Sequence, residues 1–318
     1  MRWALLAIAV AALAAPAPAA AHLRTSRDAV DYRASARPVD APLRVRIYRA
    51  DLALGFTLLG AHRVMVLGYL GEPFLRLEPD GVFVNAASPT AAGAKLTRPH
   101  ASSSRPVWQL RSRRPSVIWH DARVRGLPHG VMHGTWRIPL LVDGRRTRLE
   151  GTIERVPAPA GWPWLVVGGA FALAAAFALW RRALIRRATV WLGAVGAGAA
   201  LLSAGGFATA STASQGAWIE GGNEAVVALV AVAVMIWGSN DARALAGGFL
   251  GLLALSVGLT KLPVLRHGIV LSALPGQPAR LAVAIAIGAG AAASILGLVV
   301  FFDVLEHFEE EPELLHHP

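Results

Sequence analysis

The chain has 318 residues, 54% of them hydrophobic, and no cysteine. The absence of thiols argues against disulfides, iron–sulfur clusters and Cys-ligated zinc or Cu(I) sites. The formal net charge of +11 is concentrated in residues 22–161, which contain 22 Lys and Arg against 11 Asp and Glu. Such a basic region suits an anionic lipid surface, a cell-wall polymer or an acidic partner.

Residues 1–21 have the pattern of a secretory signal peptide. Arg2 precedes an apolar run too short to cross a bilayer, and Ala19 to Ala21 form an A-x-A cleavage site. The alternative interpretation is an uncleaved anchor. Cleavage after Ala21 would make His22 the first residue of the mature chain, where its amine and imidazole together would chelate Cu(II).

Residues 22–156 alternate between apolar and polar side chains with the period of β-strands. Leu43, Val45 and Ile47 fall on one face of a predicted strand. Turn residues at 79–81 and 143–144 predict two hairpins, and further strands fit 63–69, 107–111 and 116–120. About seven short strands in this length predict an all-β, immunoglobulin-like antiparallel sandwich.

A Pro-rich linker at 157–163 leads into a predicted bundle of about five transmembrane helices at 164–302, and an acidic tail with histidines follows at 303–318. Arginines 181, 182, 186 and 187 follow the first span and indicate its cytoplasmic end, so the β-domain is expected outside the cytoplasm and nucleic acid is not an expected partner. No ionisable residue lies near the middle of a predicted span, which argues against transport. The predicted spans are 164–180, 188–208, 225–237, 244–259 and 281–302; if 225–237 does not cross, the tail changes sides.

The histidines of the β-domain are the candidate metal ligands. His120, His129 and His133 lie within one short region, and together with His22 they would provide imidazole ligands for Cu(II) or Zn(II) without any Cys. Asp121 follows His120 and would orient it as an outer-shell partner. The alternative is that these histidines are solvated or hydrogen-bonded to the protein.

No nucleophile motif or acid–base pattern indicates a reaction, so we predict that the chain is not an enzyme. Glu72 and Asp121 are the only acids that would serve a catalytic pocket. Near the last span, His267 together with Lys261 and Arg280 is expected on the same side of the membrane as the β-domain. There His267 either completes a site between domain and bundle or anchors the chain at the interface.

Several short motifs carry a resemblance. The chain resembles a family of exported multi-pass membrane proteins of unassigned function from high-GC Gram-positive bacteria, which implies a membrane-anchored exported domain. That family commonly has W-H-D-H-R where this chain has Ala122 in place of the second His, so a site that depends on this His is in doubt. The matching residues are Gly68-Tyr69, Gly71-Glu72-Pro73, Pro79-Asp80-Gly81, Asn85, Ser88-Pro89 and Trp119-His120-Asp121.

The plan of the chain is also similar to that of copper-resistance proteins that join a copper-binding domain to a membrane domain, although their Met-rich stretches are missing here. Two functional hypotheses follow from these observations. In the first, the exported β-sandwich binds a metal ion, most plausibly copper. In the second, it is a structural or scaffolding module that binds lipid headgroups, cell-wall polymer or a membrane partner complex, and this binding would weaken with salt and be indifferent to chelators.

Overall fold

A computed structural model describes residues 28–38, 40–50, 53–97, 105–210, 229 and 231–310, with side chains up to residue 306. The chain forms a β-domain followed by a helical bundle, as the sequence predicts. The predicted signal peptide, His22 and the end of the tail lie outside the described residues. The strands of the β-domain are β1 (Ala29–Val30), β2 (Tyr32–Ala36), β3 (Leu43–Tyr48), β4 (Ala53–Leu58), β5 (Val64–Leu67), β6 (Pro73–Glu78), β7 (Gly81–Asn85), β8 (Trp108–Ser112), β9 (Ser116–Trp119), β10 (His133–Val142) and β11 (Arg145–Arg155).

The β-domain consists of two antiparallel sheets that share one core, which confirms the predicted all-β class. The larger sheet has seven strands in the order β2-β11-β10-β5-β6-β7-β8, and the smaller has the order β3-β4-β9. Buried side chains of both sheets pack together. At the centre, the Trp119 ring forms edge-to-face contacts with Phe56 and Phe74, at ring-centroid distances of 4.8 and 6.0 Å. Such edge-to-face packing of large rings stabilises a sandwich core.

The bundle contains four described helices that are long and apolar enough to cross a membrane. This is the property of a membrane protein that associates with a lipid bilayer. A short helix α1 (Pro89–Gly93) belongs to the β-domain. The bundle elements are α2 (Trp162–Trp180), α3 (Ile185–Ala208), α4 (Asn240–Thr260), the short α5 (Pro263–Arg266), the strand β12 (Ile269–Val270) and α6 (Gly276–Glu310).

Helices α3, α4 and α6 approach closely through small residues. A side chain on Gly193 would lie 2.1 Å from the carbonyl oxygen of Gly247, and one on Gly251 would lie 2.6 Å from Cβ of Ala293. Without a hydrophobic driving force inside lipid, close backbone contact of this kind is what holds helices together.

The two ends of the bundle are distinct. Phe207, at the end of α3, packs against Ala29 of the β-domain, whereas Arg186, at the start of α3, contacts Asp241 and Asp303 at the opposite end. Between Phe207 and Asp241 the chain therefore runs from the end of the bundle next to the β-domain to the opposite end. Residues 231–237 are helical and lie on this connection, while residues 225–228 and 230 of the predicted span at 225–237 fall outside the described residues.

Candidate functional site

Glu72 holds the tight turn between β5 and β6. Its Oε1 accepts hydrogen bonds from the hydroxyls of Ser88 and Thr90, both at 2.7 Å, and its Oε2 accepts one from the Leu70 N–H at 3.0 Å. Burial disfavours the charged form, but the hydrogen bonds from Thr90 and Ser88 outweigh it, so the pKa of Glu72 lies below its usual value. The backbone closes the turn where the Gly68 N–H donates to the Glu72 carbonyl at 2.7 Å.

Two further motif residues complete this turn. Gly68 has no room for a side chain, because a Cβ there would lie 2.0 Å from Oε1 of Glu72. Asn85 donates from Nδ2 to the Pro73 carbonyl at 2.7 Å and accepts from the Val107 N–H at 2.8 Å. The side chains therefore satisfy backbone groups that irregular loops leave unpaired.

A second cluster surrounds Asp121. Its fully buried carboxylate accepts from Trp119 Nε1 at 3.0 Å and forms an ion pair with Arg123 at 2.7 Å. The Arg123 guanidinium lies 4.8 Å from the centre of the Tyr69 ring, and the Tyr69 hydroxyl accepts from the Ala122 N–H at 2.9 Å. Burial and the neighbouring Asp121 charge raise the pKa of the Tyr69 phenol.

These contacts join the motifs of the sequence into one structure, with Tyr69 as the bridge. The Glu72 and Asp121 oxygens are both engaged by several donors. Ala122 contributes its backbone N–H to the bridge, so this contact is independent of the side chain at that position. The motifs therefore account for the shape of the loops.

The candidate metal ligands are not gathered into a site within the described part of the chain. His120, His129 and His133 are exposed, and His133 pairs in register with Glu154 of β11. Among the described residues, no group of three or more His, Asp or Glu side chains has an arrangement that would hold a metal ion. Asp121 directs its carboxylate to Trp119 and Arg123. The copper site stays a prediction, since His22 lies outside the described residues.

The contacts that join the β-domain to the bundle, called the joint below, were the feature least predictable from the sequence. Strand β1 pairs antiparallel with β12, the strand that precedes α6. Asp28 forms an ion pair with Lys261 at 3.2 Å, and Asp31 contacts His267 Nδ1 at 2.8 Å and accepts from the Gly268 N–H at 3.1 Å. His267 thus lies in the interface between domain and bundle, one of the two positions expected from the sequence.

Buried Arg280 stabilises the bundle side of this joint. Its guanidinium donates to the carbonyl oxygens of Val264, His267 and Gly268 at 2.8 to 3.1 Å. Gly268 in turn packs so closely on the β-domain that a Cβ there would lie 2.4 Å from the Val156 carbonyl oxygen. The β-domain is therefore attached at two places, through β1 and through the chain that follows β11.

The end of the sandwich opposite the bundle, called the far end below, carries exposed arginines. It is formed by the β6–β7, β8–β9 and β10–β11 hairpins. Two of its acids are already engaged, Asp143 with His62 and Glu78 with Arg63. The exposed arginines, which form no ion pair with another described residue, are Arg113 and Arg114 in the β8–β9 hairpin and Arg145 and Arg146 at the start of β11.

Comparison with known proteins adds no relative: no protein family, no curated protein and no solved structure matches this chain. The functional argument therefore rests on the molecule's own geometry.

Proposed function

We propose that the chain is a multi-pass protein of the cell membrane that holds its β-domain on the extracytoplasmic side as a scaffolding module for an anionic partner. The partner would be a cell-wall polymer or the acidic face of another membrane protein. The joint carries this proposal, because a domain attached at two places presents its far end in a fixed direction, away from the bilayer.

The orientation rests on charge. Arg181, Arg182 and Arg187 lie with Arg186 at the end of the bundle away from the β-domain, and arginines next to a span are retained in the cytoplasm. Because the chain has no cysteine, single substitutions test the orientation. In intact cells, a membrane-impermeant maleimide should label Leu59→Cys and should label Glu306→Cys only after lysis. The reverse pattern would overturn the orientation.

The binding surface of this proposal is the far end. Exposed arginines attract anionic groups over the range that salt leaves unscreened, so affinity should fall steeply as ionic strength rises. No reaction is part of the proposal, because the acids Glu72 and Asp121 serve the fold.

Binding is tested on the full chain in nanodiscs of phosphatidylcholine, with long-chain polyphosphate and polyglutamate as fluorescent probes. The pair Arg113→Gln and Arg114→Gln should weaken binding by about tenfold, which corresponds to roughly 1.4 kcal/mol. The pair Arg33→Gln and Arg137→Gln is the control, because it removes the same charge from exposed positions of β2 and β10 outside the far end, where the two arginines pair with Glu154 and Glu150. Equal losses in both pairs would refute a far-end site.

The same binding experiment, repeated with EDTA, distinguishes the scaffold proposal from the copper hypothesis. Scaffold binding to an anionic probe is indifferent to EDTA. Binding that disappears with EDTA and returns with Cu(II) would contradict the scaffold proposal and favour the copper hypothesis, for which the exposed His129 and His133 are accessible ligands.

A further inference from the structure

Large apolar side chains are exposed in two loops at the end of the sandwich that faces the bundle. Tyr69 and Leu70 lie in the β5–β6 turn, where Leu70 is 81% exposed. Val131 and Met132 lie in the loop before β10 and are 37% and 43% exposed. Exposed apolar groups gathered at one end of a domain indicate a contact surface.

The second of these loops lies next to the joint. The Met132 carbonyl accepts from the Arg155 N–H at 2.7 Å, and the following residue, Val156, donates its N–H to the Asp31 carbonyl at 2.7 Å. Asp31 in turn contacts His267 of the bundle. The loop is therefore separated from the membrane helices by a few residues only.

The first loop lies at the same end. Strands β10 and β5 are antiparallel neighbours, so the end of β5 points in the same direction as the start of β10. Because Val66 pairs with Leu140, the end of β5 is level with the middle of β10. The Tyr69 hydroxyl also contacts the Ala122 N–H, in the connection that leads to the second loop. Both loops therefore point towards the bundle, and the second lies nearer to it than the first.

The residues around these loops are those typical of a membrane–water interface. Arg125 and Lys95 are exposed at this end of the sandwich, and Trp162, at the start of α2, is 67% exposed. Basic side chains next to apolar ones place their charges among lipid phosphates, and Trp favours the depth of the headgroups.

Both loops have a fixed shape before any contact is made. Glu72 holds the first through hydrogen bonds with Leu70, Ser88 and Thr90. The second is closed by a bond from the Val131 N–H to the Pro128 carbonyl at 3.1 Å. Loops that are already ordered lose little conformational entropy on insertion.

We propose that the two loops, residues 68–72 and 128–132, insert into the headgroup region of the leaflet on the side of the β-domain. The lipid bilayer that holds the bundle is then also the partner of the β-domain. This inference is independent of the scaffolding proposal, since it concerns the opposite end of the sandwich and holds for either orientation of the protein.

Site-directed spin labelling tests the insertion. The cysteine-free chain allows the single variants Leu70→Cys, Val131→Cys and Leu59→Cys. Each full-length variant carries a nitroxide and is placed in nanodiscs of phosphatidylcholine and phosphatidylglycerol. Collision rates with oxygen, which concentrates in lipid, are compared with those of a water-soluble nickel chelate. Leu59 is the matched control because it is 42% exposed in a loop at the far end.

We expect the ratio of oxygen to nickel accessibility at positions 70 and 131 to exceed that at 59 by roughly threefold or more, since inserted side chains lie several ångströms inside the interface. Equal ratios at all three positions would overturn the proposal. Low accessibility to both reagents at 70 and 131 would also overturn it, because a protein surface would then cover the loops. Met132→Cys provides a second position in the same loop if Val131→Cys unfolds.

Discussion

Replacing Asp121 with Asn keeps the size of the side chain but removes the charge on which its neighbours depend. The Asp121 oxygens accept from Trp119 Nε1 and from the backbone N–H, Nε and Nη2 of Arg123, at 2.7 to 3.0 Å. An amide offers one acceptor oxygen, so its NH₂ group would face donors. Removing one partner of a buried ion pair costs about 3–5 kcal/mol. Because the Arg123 side chain is 17% exposed, we expect the lower bound.

For a domain of this size, a loss of about 3 kcal/mol corresponds to a fall in Tm of roughly 10 °C. Thermal unfolding of the full chain in detergent, followed by near-UV circular dichroism, measures this for Asp121→Asn, Arg123→Met and the double variant. The control is Glu154→Gln, which breaks the exposed pair with Arg33 and should cost at most about 1 kcal/mol. If the two single losses add to within about 0.5 kcal/mol in the double variant, the two residues are not coupled and the reasoning is refuted.

Three further outcomes are expected. Because the pKa of Glu72 is lowered in the fold, its charge stabilises the protein above the unfolded pKa, and this contribution is lost as pH falls through the folded pKa. The difference in Tm between the protein and Glu72→Gln should therefore shrink on acidification. A difference that grows would contradict this reasoning. Gly268→Val should open the joint and make the linker at 157–161 sensitive to protease, whereas Gly161→Ala, with no atom near its added Cβ, should not. Cu(II) titration of the chain with a native N-terminal His22 should show weaker binding in His120→Ala if copper handling is the function, and the same affinity in both if it is not.

Local patterns predicted most of the fold. The alternation of Leu43, Val45 and Ile47 with exposed arginines appears in β3, although Val45 and Ile47 are only half-buried. The predicted turns at 79–81 and 143–144 join β6 to β7 and β10 to β11. The first predicted span, 164–180, lies within helix α2, which begins two residues earlier at Trp162. Such features are readable because each depends on residues adjacent in the chain. Helix α6 is longer than the predicted span at 281–302, since helical periodicity carries no mark of where lipid begins.

The contacts between distant segments were not predictable in the same way. Strands β1 and β12 have two residues each, too few for a periodic signal, and about 240 residues separate them. The sequence indicates only an orientation role for Arg186, but its side chain also binds Asp241 at 2.6 Å and Asp303 at 2.6 Å. Helix α1 did have a local signal that was missed, because Ser88 caps its N-terminus and Pro89 occupies its first turn.

The two attachments of the β-domain also determine what its two ends are able to contact. A domain joined to a bundle by one linker rotates, and none of its surfaces faces the bilayer for long. Here β1 is paired with β12, and Val156 is in contact with Gly268, so both attachments lie at the end towards which the loops with Leu70 and Val131 point. Tilting the domain towards the membrane on one side would have to break contacts on the other. The fixed joint therefore keeps the apolar loops on the lipid side and leaves the arginines of the far end open to a partner in the aqueous phase, so that each end is suited to one kind of contact.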